Sequence, residues 1–349
     1  MQRKPNIFSA PLADLENSLP IISIVGTTAT GKTDLALALA TAFFQKNKRG
    51  TCIISADSRQ VYKELPILTG GDVPKYFTAH EATSADPFPY FVSPDSTIEL
   101  HGIGFISVTD EWSAGLFHAW IQPIISDAIK NQKLIIVVGG TGLYHRMLSE
   151  KDTKMTIPPN QELREWASSH TIEELQKKLQ EINQVRLEAM NESDRQNPRR
   201  LVRAIEIEMF FENQVEGNAL KITPSPNSAE LTHLWYGVSA TPELLKSRIT
   251  ERVNARFKNG ALEEVSKIMR VHNLSQDLLA FSTLGLKECA EYISGNLTAE
   301  ALREDWIIKE LQYAKRQKTW WKQHSDITWF DTSQENWILE ATSNIVASL

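Results

Sequence analysis

The chain is poor in the features that mark several protein classes. Its two cysteines, Cys52 and Cys289, stand far apart in apolar or helical surroundings, which excludes a disulfide framework. They read as buried thiols of a reducing compartment, so the expected location is the cytoplasm. No stretch approaches the roughly 18 uninterrupted apolar residues of a membrane span. Residues 1–20 carry Arg3 and Lys4 without a sustained apolar run, and read as an N-terminal extension rather than a signal peptide or membrane anchor. The eight histidines form no HxH or HxxxH pair, and neither cysteine has a partner at ligand spacing, which predicts no structural zinc site. No GxSxG elbow supports a serine hydrolase, and neither repeats nor low-complexity tracts are visible. Basic residues are not in excess either: 37 Lys and Arg face 43 Asp and Glu, a net charge of −6. Contact with a nucleic acid would therefore rest on local clusters, not on total charge.

What the chain does contain is 349 residues at 42% hydrophobic composition, enough for two domains or one large domain with an insertion. Its most informative stretch is Gly26-Thr27-Thr28-Ala29-Thr30-Gly31-Lys32-Thr33, a match to GxxxxGK[ST]. The context fits: Ile21 to Val25 reads as a buried strand, and Asp34 to Ala40 reads as a helix. Glycines let the backbone curl so that N–H groups converge on an anion, and the helix adds its unpaired N-terminal donors. Lys32 supplies a full charge, and Thr33 a hydroxyl suited to Mg²⁺. A phosphorylated ligand is the expectation.

Continuous apolar runs at Thr51–Ser55, Lys133–Val138 and Leu234–Ser239, with a short one at Ile327–Phe330, read as strands buried on both faces of a parallel sheet. The fold class expected is α/β, a P-loop NTPase-like parallel sheet flanked by helices, with an inserted helical domain. The core would span 21–154 and 232–349, and the insertion 155–231, bordered by Pro158-Pro159 and by the proline-rich Thr223 to Ser228. Tyr76 to Thr97, with Pro87, Pro89 and Pro94 among aromatics, reads as an irregular loop.

In an open parallel sheet ligands lie beyond the carboxyl ends of the strands, where Asp57 and Thr141 fall. Asp57 is compatible with a metal-linked acid, a proton acceptor or a turn aspartate. Thr141, in Gly139-Gly140-Thr141-Gly142, is compatible with a mere tight turn. In Asp194 to Arg203, Asn197 is a good N-cap and Pro198 a good first helical residue. That puts Arg199 and Arg200 at a helix end that is already positive, on one face with Arg203. The cluster fits either a bound polyanion or a solvated face balanced by Glu206 and Glu208. A helix over about 299–323 carries Tyr313, Gln317, Trp320 and Trp321 on one side and Lys315, Lys318 and Lys322 on another, which fits base stacking or core packing. Arg248, Arg252 and Arg256 form an i, i+4, i+8 stripe able to reach phosphates.

Taken in order, these segments resemble the tRNA dimethylallyltransferases, the tRNA isopentenyltransferases of bacterial type. The resemblance rests on the loop Gly26–Thr33, Ser55-Ala56-Asp57-Ser58-Arg59-Gln60-Val61-Tyr62, Val138 through Tyr144, Asp194 through Ala204, Arg248-Ile249 with Arg252, and Ala314-Lys315-Arg316-Gln317 with Thr319-Trp320. It covers most of 21–330. It implies an enzyme that moves a dimethylallyl group from dimethylallyl diphosphate to the exocyclic amine of the adenosine beside the tRNA anticodon. By the same resemblance Gly26 to Thr33 bind the diphosphate, with Thr28, Lys32 and Arg248 stabilising the leaving group and Mg²⁺ near Thr33. Asp57 would take the amine proton. Contacts to the anticodon arm are implied for Asp57, Ser58, Arg59, Gln60, Thr141, Arg164, Arg199, Arg200, Leu201, Val202 and Arg203, with the insertion clamping the stem and a monomer as the working form.

The chain departs from the family pattern in three places. Leu68-Thr69-Gly70-Gly71-Asp72 stands where Ile-Gly-Thr is usual, Leu286 stands in a Gly-Tyr-Lys-Glu motif, and Glu310 replaces a threonine. Rival readings are an adenylate isopentenyltransferase acting on free nucleotide, a P-loop kinase or ATP-dependent switch, and an RNA-binding protein without catalysis.

Overall fold

A computed structural model of the protein describes residues 19–71, 73–83, 88–150, 154, 157–215, 231–272 and 279–349. The expectations placed on residues 1–18, Asp72, Pro87, Met155 and the Thr223 to Ser228 border lie outside the described residues. The chain separates into two compact units, one of Met1–Glu150 with Pro226–Leu349 and one of Lys151–Ser225.

In the larger unit, β1 (Ile21–Gly26) runs through the glycine loop into α1 (Lys32–Asn47), followed by β2 (Thr51–Ser55) and the short α2 (Pro66–Thr69). Three short strands, β3 (Thr78–His80), β4 (Tyr90–Val92) and β5 (Ile98–His101), precede α3 (Ala114–Lys130), β6 (Leu134–Val138) and α4 (Gly142–Ser149). The smaller unit holds α5 (Gln161–Ser168), α6 (Ile172–Glu188), α7 (Glu192–Arg195) and α8 (Pro198–Val215). The larger unit resumes with β7 (His233–Ser239), α9 (Pro242–Lys258), α10 (Ala261–His272), α11 (Leu286–Ile293), α12 (Ala299–Trp321), β8 (Ile327–Asp331) and α13 (Trp337–Ala347).

The sheet orders these strands β3-β4-β5-β2-β6-β1-β7-β8. Every pairing from β5 to β8 is parallel, whereas β3 and β4 join antiparallel. Strand β1 lies between β6 and β7, so the connections leaving it diverge and open a crevice at its carboxyl end. Alternation along each strand sends neighbours to opposite faces. Ile21, Cys52, Ile54, Ile135 and Val137 join one core, and Ile22, Ile24, Ile53, Leu134, Ile136 and Val138 the other. Both faces are therefore dry, which explains the unbroken apolar runs in the sequence.

Three strands, β3, β4 and β5, were absent from the sequence reading. The region Tyr76–Thr97 is not wholly irregular, because Thr78–His80 and Tyr90–Val92 pair with each other and extend the sheet beyond β5. Pro89 and Pro94 lie just outside β4, where a residue without an N–H donor does no harm to an edge pairing. Cross-strand stacking of His80 on Tyr90, and of Tyr90 on His101, at 4.5 and 4.6 Å between rings, fixes the register.

The helical unit has its own core of Leu163, Leu175, Leu179, Met190, Leu201, Ala204 and Ile205. Thr171 and Glu174 form a capping box that starts α6, and Asn197 Oδ1 accepts the Arg200 N–H at the start of α8. Leu201, expected to meet RNA, is fully buried in this core, and Val202 packs against it. Its role is packing, as the i, i+3, i+4 apolar spacing of Leu201, Ala204 and Ile205 dictates. Replacing Leu201 by Ala should cost about 2–5 kcal/mol and shift the urea unfolding of the helical unit to lower concentration. An unchanged midpoint would show that the side chain is not part of the core.

Candidate active site

The glycine loop is shaped by steric necessity. Gly26 has φ +140°, and a Cβ there would collide with the Val238 carbonyl of the neighbouring strand. Ala29 and Gly31 also adopt positive φ, at 59° and 86°, so the chain curls tightly before α1 begins. Within the curl the Thr27 carbonyl accepts from Thr30 Oγ1 at 2.8 Å and from Lys32 Nζ at 2.6 Å. Helix α1 starts at Gly31 with no side-chain cap, which leaves its N-terminal donors to a ligand.

A cavity of about 800 Å³ opens over this loop. Thr28 to Thr33 form its floor, with Asp57, Ser58, Arg59 and Gln60 on one side and Arg252, Arg256, Glu310, Tyr313 and Gln317 on another. Leu37, Leu68, Val73, Leu100, Ile103 and Val138 give it an apolar wall. It thus joins a cationic, hydrogen-bonding floor to a greasy side, the partition an anion with a hydrocarbon tail requires.

Several sequence-predicted residues stand elsewhere. Gly26 and Thr27 do not line the cavity and serve the shape of the loop, while Thr30, fully buried, spends its hydroxyl inside it. Arg248 is corrected: it donates to Thr332 Oγ1 at 2.9 Å at the end of β8 and is not among the lining residues. The stripe it begins reaches the cavity only one and two turns later, at Arg252 and Arg256. Thr141 also stands back from the lining, and its Oγ1 accepts the Ser58 N–H at 3.3 Å. That bond, with the Arg59 N–H donated to Asp57 Oδ1 at 2.8 Å, fixes the turn that carries Asp57. Gln60 is engaged at both ends, accepting from Ser55 Oγ and donating to the Gly70 carbonyl.

The roles of three residues were not legible in the sequence. Gln317 Oε1 accepts the Thr28 N–H at 2.8 Å, so α12 seats the phosphate loop directly. Gly140 is required for this, since a Cβ there would overlap Gln317 Nε2. Glu310 is buried between the arginines, accepting from Arg252 Nη2 at 2.7 Å and Arg256 Nη1 at 2.8 Å. Glu264 of α10 accepts the Ile67 and Leu68 N–H groups and so anchors α2, which brings Leu68 to the wall. Trp321 is core and Trp320 sits close against Gly142, which settles that pair as packing.

In the helical unit, Glu206 is buried and accepts from Arg164 Nε at 2.7 Å and Arg203 Nη1 at 2.9 Å. Burial raises its pKa, but Arg164, Arg203 and the Asn160 N–H outweigh burial and hold the carboxyl below its usual range. Arg203 also donates to the Lys154 and Ile157 carbonyls, and Arg200 pairs with Asp194. Arg164 and Arg200 nonetheless keep 45% and 59% of their side chains exposed, and Arg199 is exposed as well.

Electrostatically the cavity is held in tension. Burial, and then the charge of Arg252, lower Lys32 from 10.5 to about 8 against the upward pull of Asp57. Tyr313 is pushed upward, first by burial and then by the Asp57 charge, and stays a neutral donor at pH 7. Because Lys32 loses its proton above about pH 8 only in the folded chain, the empty fold gains stability from there toward 10.5. Anion binding has the opposite sign. It needs the ammonium, so the Kd of an alkyl diphosphate should rise about tenfold per pH unit above about 8. Lys32→Arg should flatten that rise. Calorimetric titration of the wild-type chain giving a level profile across this range would refute the assignment.

Comparison with known proteins agrees with this geometry. The family model described as IPP transferase matches residues 89–324. The chain is 30% identical to tRNA dimethylallyltransferase 1 of Azobacteroides pseudotrichonymphae genomovar. CFP2 over 329 residues, 93% of this chain and 97% of the relative. It is also 30% identical to tRNA dimethylallyltransferase 2 of Treponema denticola over 336 residues, 96% and 100% of the two chains. Among solved structures, the full-length tRNA isopentenylpyrophosphate transferase of Bacillus halodurans matches at a TM-score of 0.58 and 26% identity, covering 94% of this chain and 96% of its own. A eukaryotic dimethylallyltransferase captured acting on tRNA shares the fold at a TM-score of 0.70 and 24% identity, covering 94% of this chain and 77% of its own. With more than half of its length matched by the family model and its relatives covered nearly end to end, the chain belongs to the IPP transferase family.

Proposed function

We propose that the protein transfers a dimethylallyl group from dimethylallyl diphosphate to the exocyclic amine of the adenosine 3′ to the anticodon in tRNA. The observation that carries this reading is the single cavity in which a phosphate loop, a carboxylate and an apolar wall meet. The diphosphate would lie on the loop amides, Thr28 and Lys32, with Arg252 and Arg256 supplying charge from α9. The five-carbon tail would lie along Leu37, Leu68, Leu100, Ile103 and Val138.

In the reaction the allylic C–O bond breaks, the amine nitrogen bonds to that carbon, and the nitrogen proton passes to Asp57. The leaving diphosphate carries away the electron pair of the broken bond, so cations aimed at it supply most of the acceleration. An adenine amine is a weak nucleophile, but its proton becomes acidic as nitrogen gains positive charge, so a carboxylate can accept it. Asp57 suits this role because its turn is fixed by Arg59 and Thr141 bonds and its carboxylate lines the cavity.

Mg²⁺ fits the donor chemistry of Thr33, a hydroxyl-bearing residue that lines the cavity in the first turn of α1. When bound it would neutralise part of the diphosphate charge. A phosphate loop of this type also suits ATP, and competition by ATP against the prenyl donor measures that preference. The exposed guanidiniums of Arg164, Arg199 and Arg200 support a contact between the helical unit and the anticodon stem, with Ser58, Arg59 and Gln60 meeting the everted base at the cavity. The target base must leave its stack at a cost of a few kcal/mol, which these contacts offset. Two free buried thiols support action in the reducing cytoplasm, and one tRNA per active cavity supports a monomer. Among the described residues no helix is long and apolar enough to cross a membrane.

The decisive experiment is mass spectrometry of anticodon-loop nucleosides after incubation with tRNA, dimethylallyl diphosphate and Mg²⁺. Prenylated adenosine is expected, and its absence at saturating substrate overturns the reading. Asp57→Asn should lower kcat by about 10²–10⁴-fold with tRNA Kd unchanged. Offering AMP as acceptor separates this activity from prenylation of free nucleotide.

A further inference from the structure

Where β2 pairs with β5, three unlike side chains converge. Cys52 of β2 is the direct cross-strand neighbour of Glu99 of β5, and His101 follows two residues later on the same face. Cys52 Sγ, a Glu99 carboxylate oxygen and a His101 ring nitrogen all lie within 4.8 Å of one another. Cys52 is 1% and His101 5% exposed, so two of the three are dry.

His101 is the observation that calls for a ligand. Both of its ring nitrogens are buried and neither has a hydrogen-bond partner. Nε2 stands 3.5 Å from Glu99 Oε2, too long to satisfy it well. That leaves Nδ1 without a partner and Nε2 with only a long contact to Glu99, in a setting where buried polar groups are normally satisfied. Tyr90 stacks on the ring at 4.6 Å and holds its plane.

We propose that Cys52, Glu99 and His101 form a binding site for a single Zn²⁺ ion that staples β5 to β2. The donor set is one thiolate, one imidazole nitrogen and one carboxylate oxygen, the mixture that borderline Zn²⁺ accepts. Zinc bonds of about 2.0–2.3 Å imply ligand-to-ligand edges of roughly 3.4–3.8 Å, so closing the triad around the ion takes about one ångström. On binding, the Cys52 S–H bond breaks, an S–Zn bond forms, and the proton leaves to solvent. No electron transfer is involved.

Lys133 does not block the site. Its Nζ sits 2.7 Å from Glu99 Oε1 and 2.9 Å from Oε2, yet it also reaches Asp127 Oδ2 at 3.3 Å. Asp127 can hold the ammonium while Glu99 turns one oxygen to the metal, and Lys133 then offsets part of the two ligand charges. The site is structural in placement. Cys52 precedes Asp57 by five residues of nearly extended chain, roughly 16 Å from the chemistry. It is also invisible to a spacing rule, because its ligands come from two strands paired across the sheet.

Co²⁺ added to the metal-free full-length protein tests this by absorption spectroscopy, since a cobalt–thiolate bond gives a near-ultraviolet charge-transfer band and tetrahedral coordination gives intense visible bands. One equivalent should develop both, and Zn²⁺ should displace them. Cys52→Ala and His101→Ala should each abolish the charge-transfer band or weaken cobalt binding at least tenfold. Cys289→Ala should leave it intact. The Cys52→Ala cavity is small, and circular dichroism establishes that the variant folds. A wild-type protein with no band, or a band that survives Cys52→Ala, overturns the proposal. Neither readout depends on prenyl transfer, so the site stands or falls apart from the activity above.

Discussion

Three cationic side chains crowded into one desolvated corner of the sheet set the terms for the rest of the structure. Lys32, Arg252 and Arg256 all line the cavity there, and burial first, then the Arg252 charge, depress the Lys32 pKa. An empty site of this kind needs a counter-charge, and Glu310 supplies one by bridging both arginines. Glu310 is buried, and its carboxylate is held between the two guanidiniums. The arginines are consequently oriented before any ligand arrives, and their remaining donors are aimed by packing in place of the ligand itself. Removing Glu310 would leave the buried Arg256 and the half-buried Arg252 uncompensated, a heavier penalty than the bridge gains when made.

How much of this could be read from residues alone depended on how local each feature is. The strand, loop and helix from Ile21 to Asn47 are encoded within one window, and glycine positions with their steric reasons mark it clearly. The parallel strands β1, β2 and β6 were legible because burial on both faces leaves unbroken apolar runs; β7 and β8 also showed as apolar runs, whereas β5, interrupted by Glu99 and His101, did not. Helical spacing identified the arginine stripe of α9 but not which turn of it meets the cavity, because Arg248 is diverted to Thr332 at the end of a strand about eighty residues away in sequence. The same limit hid Gln317 and Glu310, whose partners are fixed by tertiary packing. The β3–β4 extension escaped for another reason: prolines flanking a three-residue strand resemble a loop when the paired edge is unknown. Leu201 was misread by giving a basic segment one role, although its apolar spacing already separated it from its arginine neighbours.

The fold itself leaves the chemistry open, since a phosphate loop on a parallel sheet serves many reactions. Selectivity comes from what surrounds the loop. Beside it stands an apolar wall built by α1, α2, β5 and β6. The helical unit spends its buried glutamate on two arginines and leaves much of their guanidinium surface facing solvent. Both arrangements use an internal carboxylate to hold cations in readiness, once for a small anion and once for the helical face.

The bond from Thr28 to Gln317 joins residues 289 positions apart. A ribosome adding about 5–20 residues per second needs roughly 15–60 s to bridge that interval. During synthesis the glycine loop therefore emerges early but acquires its supporting amide among the last helices of the chain. Completion of the loop's support is thus a late event in biogenesis, coupled to arrival of the distal helix.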